Sequence, residues 1–464
     1  MDIADGRIRE GIRKDETEWY RGRIQRLSSL SNNLQRDERR FRFSPCPSKE
    51  ETIMVNMSSM KTASLSMCFS VGAVLFSSHA GGGFATGNQE NVYFVSLGWL
   101  GPITAIITML LFTLTIKEAM NMYNSRHLTS YRQLFQNLYR PFTGIEYFFE
   151  AFFYIMVLMA VSATISGAAS AINAQTGLNY YAGIGVVGII IFFLTIFGAG
   201  LVRRATTYMG MAILAMVVAI FSVGIYSAGS VEGTQAFTAV MAQDFAVNGF
   251  SNVPTAILHA FTYAGFQCVV IPTMIVVGTP LVTRKNCATS MWFSFAMNAA
   301  ALTLAVVMLL GWSGYYGKSP LPTLTSCQAM GSPWLTIVYS AFLMLCLIST
   351  GVTTVFGFTA RFSEINILKK ISSRSVIRAA IVTAFIIIAS MTVSIAGLTN
   401  IIKYGYGYCG YAAIAIIIVP FLTIGRYKNK RYANDMEYRA RIDSMNENPQ
   451  AAQAFKPTAE AAGH

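Results

Sequence analysis

A histidine and three consecutive glycines lie in the middle of the first long apolar segment of the chain, in the run from Ser77 to Phe84. Each of those glycines costs about 1 kcal/mol relative to alanine in a helix. Backbone that leaves the helical conformation at membrane depth is tolerated only where protein covers it or where it lines a watery cavity. The run therefore predicts a broken helix, of the kind that forms the central site of secondary transporters. A close helix–helix contact through small residues is the alternative.

A break at this point would present backbone groups of opposite polarity to a ligand. The amide end of a half-helix carries roughly half a positive charge and suits a carboxylate, whereas the carbonyl end suits a cation. A zwitterionic, amino-acid-like solute would fit both ends. The predicted solute-binding residues of this segment are Ser78, His79, Gly81, Gly82, Gly83, Phe84 and Thr86.

Two ionisable residues, His79 and Glu90, lie near the predicted break. A charge at the centre of the bilayer costs about 2.5–3.5 kcal/mol on insertion scales, so both residues are candidates for function. Histidine changes its charge near neutral pH and can relay a proton. Glu90 follows Gly83 by about 10 Å at the roughly 1.5 Å helical rise per residue, which places it in an outer vestibule as a gating candidate. A neutral His79 ring bonded to a carbonyl and a solvated Glu90 are the alternatives.

The composition is that of a polytopic membrane protein. The 464 residues are 53% hydrophobic and only 12% charged, whereas soluble domains carry about 25% charged residues. Apolar runs long enough to cross a lipid bilayer, about 20 residues each, recur along the chain. The net charge of +13 comes from basic segments that can face anionic lipid headgroups, so no nucleic-acid partner is needed to explain it. The seven cysteines include no CxxC pair, and neither a disulfide framework nor a metal cluster is predicted.

Apolar runs separated by charged or turn-rich segments predict ten membrane-spanning helices, which we number spans 1 to 10. Their ranges are 62–97, 101–122, 142–174, 180–202, 205–229, 253–282, 288–312, 334–362, 376–397 and 403–425. Alternate loops separate by Lys and Arg content, with only Lys318 and Lys403 on one side, as the positive-inside rule requires. We therefore expect a multi-pass protein of the plasma (inner) membrane with both termini in the cytoplasm.

The fold expected from this pattern is all-α, with two inverted repeats of five helices. Residues 1–56 are predicted to be a polar, disordered cytoplasmic tail, and 426–464 a second cytoplasmic tail. The transporter domain between them, 57–425, divides into repeat one, 62–229, and repeat two, 253–425. Because five is an odd number, the second repeat enters the membrane in the opposite sense.

Span 6 carries a second glycine-containing weak point, at the corresponding place in its repeat. The pair Gly265-Phe266 there matches Gly83-Phe84 in span 1. Interrupted segments at corresponding positions of two inverted halves are the best sequence indication of a central site. Coincidence, with the general abundance of glycine in membrane helices, is the alternative. The predicted solute-binding residues of span 6 are Tyr263, Gly265, Phe266 and Gln267.

The run from Gly82 to Glu90, with Val71-Gly72-Ala73 before it, resembles the first span of the YkvI-like bacterial membrane proteins. The segment from Gly397 to Tyr406 resembles the penultimate loop of that family. The chain departs from the family pattern at Gly82, where alanine is expected, and at His79. The resemblance covers about residues 60–425 and implies a LeuT-like five-plus-five transporter fold of the amino acid–polyamine–organocation type, without naming a solute.

The resemblance also implies a sodium site between the broken first span and hydroxyl groups of span 8. Hydroxyl and carbonyl oxygens are hard ligands suited to a small cation. Hydroxyls that bond back to carbonyls one turn earlier are the alternative. No other cofactor or metal is predicted. The ion-binding candidates are Ser78, Gly81, Ser349, Thr350, Thr353 and Thr354.

Two glutamates, Glu146 and Glu150, stand one turn apart at the predicted cytoplasmic start of span 3. Like charges at this spacing repel each other mildly unless a partner relieves them. Arg203 and Arg204, on the same predicted side, are the expected partners and would latch an inner gate. Solvation at the membrane interface is the alternative.

These features predict a secondary transporter that moves a small, amino-acid-like or amine-containing solute by alternating access, as a symporter with sodium or protons. Spans 1, 2, 6 and 7 would rock against a scaffold of spans 3, 4, 8 and 9. The sequence has neither a phosphate-binding loop nor a catalytic triad motif, so ATP-driven pumping and enzymatic catalysis are not predicted. A membrane sensor or partner-binding subunit with the same fold is the alternative.

Overall fold

A computed structural model describes residues 63–197, 199–363, 365–372 and 374–447. The N-terminal tail, 1–56, and the residues after 447 lie outside these ranges, as do the side chains of residues 198–212. Every regular element within the described ranges is a helix. The all-α prediction is therefore confirmed.

About ten membrane helices are present in the part of the chain that the structure describes. Eight are long and apolar enough to cross a membrane, and two apolar helices, Leu65–His79 and Ile213–Ser227, are shorter. Span 10 runs from Leu398 to Asn434 and contains three π-helical segments. Spans 2 to 9 occupy Gly101–Ser125, Glu146–Thr176, Tyr180–Phe197, Ala199–Ser227, Val253–Val277, Arg284–Tyr316, Pro333–Phe362 and Ser375–Ser394.

Span 1 is broken where the three glycines stand. Its first helix, Leu65–His79, ends directly before them. Gly81 is extended, with φ −75° and ψ −161°, and a short helix, Gly82–Ala85, follows. The predicted break is therefore confirmed at Gly81.

A second break follows at Gly87, which the sequence analysis does not predict. Gly87 has φ 78°, in the left-handed region that favours glycine. The Thr86 hydroxyl closes the turn, because it donates to the Gly83 carbonyl at 2.7 Å and accepts from the Asn88 amide at 3.2 Å. The outer part of span 1 is consequently two short helices, with Asn88–Tyr93 as the second, rather than the single half-helix expected.

The predicted break of span 6 is wrong in its position. The helix Val253–Gln267 runs without interruption through Gly265, and the irregular turn is a 3-10 segment at Cys268–Val270. Pro272 explains this place, because it lacks the amide that would bond the Cys268 carbonyl. A Cβ atom at Gly265 would lie 2.7 Å from the Gly410 carbonyl oxygen of span 10. This glycine therefore serves a close helix–helix contact.

Short helices cover both ends of the bundle. We call the end that carries the Arg- and Lys-rich loops the basic face, and the other end the opposite face. The basic face bears Tyr131–Tyr139, Asn366–Ile371, Arg426–Asn434 and Met436–Glu447. The opposite face bears Phe237–Asn248 and Pro322–Ala329.

Helix packing follows the predicted division into a moving bundle and a scaffold. Span 7 packs most extensively on span 2 and on the first helix of span 1, and span 6 also packs on span 2. Span 3 packs most extensively on spans 8, 4 and 9. The break in span 1 lies against span 8, so the central residues stand where the two helix sets meet.

The contact between Gly265 and span 10 makes a prediction about stability. We expect Gly265→Ala to lower the free energy of unfolding by about 1–3 kcal/mol, because the added methyl group overpacks a helix contact. The control is Gly357→Ala in span 8, where a Cβ atom meets nothing within 4 Å; helix propensity there favours alanine by about 1 kcal/mol. Thermal unfolding in detergent measures both, and an equal effect of the two substitutions would contradict the assignment.

Candidate functional site

The break in span 1 is held against span 8 by one hydrogen bond and one close contact. The Gly82 amide donates to the Thr350 hydroxyl oxygen at 3.1 Å. A Cβ atom at Gly82 would lie 2.9 Å from a methyl carbon of Leu347 and 3.1 Å from its Cα. Both readings of the glycine run therefore hold for span 1, since the same residues break the helix and allow the close contact.

A buried hydrogen-bond network joins three spans beside the break. His79 Nδ1 lies 2.7 Å from Asn298 Oδ1 of span 7. His79 Nε2 lies 3.0 Å from the Tyr263 hydroxyl of span 6, which in turn lies 3.2 Å from Gln89 Oε1. His79 is 3% exposed and Tyr263 is fully buried. The network therefore links both repeats through side chains that are shielded from solvent.

The network constrains where its protons lie. Asn298 Nδ2 donates to the Ser294 carbonyl at 2.9 Å, so its Oδ1 faces His79 and Nδ1 must carry the proton. The Tyr263 hydroxyl has one hydrogen and three neighbours, which are His79 Nε2, Gln89 Oε1 and the side chain of Gln267. When it donates to Gln89, His79 Nε2 must also carry a proton to bond the hydroxyl oxygen; when it donates to His79, the ring is neutral.

Glu90 is fully buried, and neither carboxylate oxygen has a hydrogen-bond partner in the part of the chain that the structure describes. Tyr263 and Tyr339 lie within electrostatic reach of its carboxylate. A buried carboxylate without a partner is strongly unfavourable as an anion. The placement in an outer vestibule is therefore wrong, and Glu90 is a group that requires either a proton or a cationic ligand.

Aromatic rings enclose the network. The ring of Phe84 lies 5.4 Å from that of His79, centroid to centroid. The ring of Phe266 lies 4.8 Å from Tyr263 and 5.1 Å from Tyr406 of span 10. The aromatic residues of both predicted weak points therefore meet in one place.

Other predicted solute-binding residues have structural contacts. The Ser78 hydroxyl donates back to the Val74 carbonyl at 2.8 Å. Thr86 closes the turn at Gly87, and Gly265 faces span 10. Gln267 is buried and stands one turn from Tyr263 on the same helix face.

The hydroxyls proposed as sodium ligands bond within their own helix. Ser349, Thr353 and Thr354 each donate to a carbonyl three or four residues earlier, at 3.1, 2.8 and 2.7 Å. Thr350 accepts from the Gly82 amide instead. Back-bonding of this kind is common in membrane helices and leaves the hydroxyl oxygens able to contact a cation, so the sodium site stays a prediction, while Thr350 supports the break.

A cavity of about 370 Å³ opens on the opposite face. Its lining is uncharged, with Ser170, Asn173, Tyr180, Ser319, Thr325 and Asn400 among the polar residues. Asn88 is tied to two of the residues that line this cavity, because its side-chain amide donates to the Pro320 carbonyl and to the Thr399 hydroxyl, both at 2.9 Å. Both acceptors belong to residues that line the cavity.

The inner glutamates have arginine partners that the sequence analysis does not predict. Glu146 accepts from Arg132 Nε at 2.9 Å, and Glu150 from Arg361 Nη2 at 3.2 Å. The hydrogen bond that Arg132 donates to Glu146 raises the pKa of Arg132. The side chains of the predicted partners, Arg203 and Arg204, lie outside the described part of the chain, so their role stays a prediction. Spans 3 and 8 are thus tied at the basic face by residues far apart in the sequence.

Sequence reasoning missed Asn88, Gln89 and Asn298. Asn298 had a usable signal, since it is an amide inside an apolar span and such residues mark functional positions in membranes. Gln89 lies inside the run from Gly82 to Glu90 that resembles the YkvI-like first span, but the sequence predicts no role for it.

Several solved structures similar to this chain are transporters. A Na⁺-coupled sialic acid symporter in a substrate-bound outward-open state aligns with a TM-score of 0.53 at 12% identity, over 84% of this chain and 90% of that one. The chain has a LeuT-like fold. A manganese transporter of Eremococcus coleocola (TM-score 0.48, 14% identity, 85% and 89% covered) and inward-facing Mhp1 (0.46, 13%, 84% and 95%) are also similar. No protein-family model and no curated protein matches the chain, so the YkvI-like relationship stays a resemblance.

A double-mutant cycle tests the buried contact between His79 and Asn298. Asn298→Leu should lower the free energy of unfolding by about 1–3 kcal/mol, because it leaves the His79 Nδ1 proton without an acceptor. In a His79→Phe background that proton is absent, and the same substitution should cost less by about 0.5–3 kcal/mol. Thermal unfolding of the four proteins measures the coupling, and additive effects would contradict the contact.

Proposed function

We propose that this protein is a secondary active transporter that moves a small, amino-acid-like or amine-containing solute across the plasma (inner) membrane by alternating access, with both termini in the cytoplasm. The observation that carries the proposal is the break in span 1 followed by a buried Glu90 whose carboxylate has no hydrogen-bond partner among the described residues. LeuT-like neighbours that are themselves transporters support the class.

The chemistry of the site supports a solute with an amine. The Glu90 carboxylate can receive an ammonium group of the solute. The ammonium group would supply the positive charge that no described residue supplies to this carboxylate. The first amides of a helix have no intrahelical partner, so those of Gly83 and Phe84 can receive a carboxylate. Phe84 and Tyr263 would wall the solute.

The burial of these groups supports alternating access. His79, Phe84, Tyr263 and Glu90 are each at most 3% exposed. A solute can reach them only if the helix sets separate, on one face or the other. Asn88 would then be the contact released towards the opposite face, and the Glu150–Arg361 pair the contact released towards the basic face.

We place proton coupling first, because His79, Tyr263 and Glu90 form or adjoin a network that changes with one proton. Sodium coupling is the second candidate. The span 8 hydroxyls that donate to helix carbonyls keep their oxygen lone pairs for a cation, and the symporter with a similar fold is described as Na⁺-coupled.

Uptake into proteoliposomes tests the proposal. With radiolabelled amino acids and amines as probes, we expect an imposed proton gradient to drive accumulation and a sodium gradient to fail. Glu90→Gln should reduce uptake by on the order of 100-fold or more, because it removes a buried charge-assisted contact. Glu232→Gln, at an exposed glutamate, is the matched control and should not change uptake.

Other outcomes identify other functions. Saturable binding without accumulation under any gradient would indicate a sensor or partner-binding subunit. Chemical conversion of a probe would indicate an enzyme, and accumulation driven by sodium alone would replace the proton in the proposal.

A separate prediction concerns His79. His79→Gln keeps hydrogen-bonding groups but cannot take up a proton at neutral pH. We expect it to retain solute exchange between equal pools while gradient-driven accumulation falls to near background. Loss of both activities together would instead assign His79 a structural role.

A further inference from the structure

Arg126 directly follows span 2 at the basic face and is only 3% exposed. Its Nη1 donates to Asn137 Oδ1 at 3.3 Å. Its Nε and Nη2 are buried without a hydrogen-bond partner among the described residues. These two nitrogens form one edge of the planar guanidinium group, which is the edge that receives two oxygens of an anion.

Asn137 links Arg126 to a third unpaired donor. Asn137, which accepts from Arg126, also donates to Asn446 Oδ1 at 3.1 Å. The side-chain nitrogen of Asn446 is buried and has no partner within the described ranges. The two residues that bond Asn137 therefore carry three unpaired donor atoms, which a ligand with several acceptor oxygens could satisfy.

Two further cations adjoin this group. Lys428 Nζ donates to the uncharged carbonyls of Asn137, Leu138 and Arg140 at 3.2, 2.8 and 2.9 Å, which uses its three hydrogens and leaves its charge uncompensated. Arg140 Nη1 lies 3.2 Å from the Met445 sulfur. The structure gives none of the three cations a salt bridge within the described part of the chain, and the nearby Asp443 accepts from the Tyr432 hydroxyl at 2.7 Å.

The electrostatics of the cluster agree with the geometry. Burial, with a smaller contribution from the charge of Arg140, lowers the pKa of Arg126 to about 10, against the opposing effect of Asp443. Burial also lowers the pKa of Arg140. Buried like charges are unfavourable unless an opposite charge compensates them, so an anion would relieve both the unpaired donors and the repulsion.

We propose that Arg126, Arg140 and Asn446 bind a phosphate-type oxyanion at the basic face, with the charge of Lys428 nearby, and that the oxyanion is supplied either by a lipid headgroup or by a soluble phosphate. The site is made by the end of span 2, the loop helix Tyr131–Tyr139 and the two tail helices, Arg426–Asn434 and Met436–Glu447. A bound oxyanion would tie the tail to span 2, which belongs to the predicted moving bundle. The site does not depend on the identity of the transported solute.

Binding of inorganic phosphate to the purified full-length protein in neutral detergent tests the soluble source. We expect about one phosphate per chain, with a rise in the unfolding temperature relative to chloride at equal ionic strength. Arg126→Gln should weaken phosphate binding by on the order of 10–100-fold, because it removes charge-assisted hydrogen bonds. Asn446→Ala, on the tail helix Met436–Glu447, should also weaken phosphate binding. This variant leaves span 2 unaltered.

The matched control is Lys430→Gln, which removes an exposed positive charge two residues from Lys428 and should leave binding unchanged. Nanodiscs of phosphatidylglycerol and of phosphatidylcholine test the lipid source, with retained lipid counted by native mass spectrometry. Retention of phosphatidylglycerol that Arg126→Gln abolishes would support a headgroup. If neither probe binds, or if Arg126→Gln binds both as the wild type does, the proposal is wrong.

Discussion

The arrangement of this protein follows from one constraint: a backbone amide exposed by a helix break inside a membrane must find an acceptor in the protein. At the break in span 1 that acceptor is the Thr350 hydroxyl, which binds the Gly82 amide at 3.1 Å. Span 8 must therefore lie directly against the break. Only residues without a side chain allow that approach, because a Cβ atom at Gly82 would overlap Leu347. The break and the contact between helix sets are thus a single feature.

The sequence was sufficient for the spans and for the first break, because those depend on local properties. Apolar length and loop charge define the spans, and three adjacent glycines destabilise a helix in any surroundings. A single glycine is different. Gly87 and Gly265 look alike in the sequence, yet one adopts φ 78° in a turn and the other lies in a regular helix against Gly410. The helices packed against each glycine decide between these outcomes, and the residues next to it in the sequence do not show which helices those are.

The same limit explains the misplacement of Glu90. An axial distance counted at a constant helical rise assumes that the helix continues, but the chain changes direction at Gly81 and again at Gly87. Glu90, which this count placed in an outer vestibule, is instead buried between spans. The partners of Glu146 and Glu150 were missed for a related reason, since Arg361 reaches Glu150 across 211 positions of sequence. The contacts among His79, Asn298 and Tyr263 likewise arise from tertiary packing of three different spans.

The buried network lies within the proposed moving bundle. His79 belongs to span 1 and its two partners to spans 7 and 6, which the proposed movement carries together. Rocking against the scaffold therefore keeps these contacts and changes what span 8 presents to the break, where the Gly82 amide meets Thr350 and the Gly82 backbone meets Leu347. A proton taken up at His79 would act on the movement through this break, because His79 is the last residue of the helix that ends there.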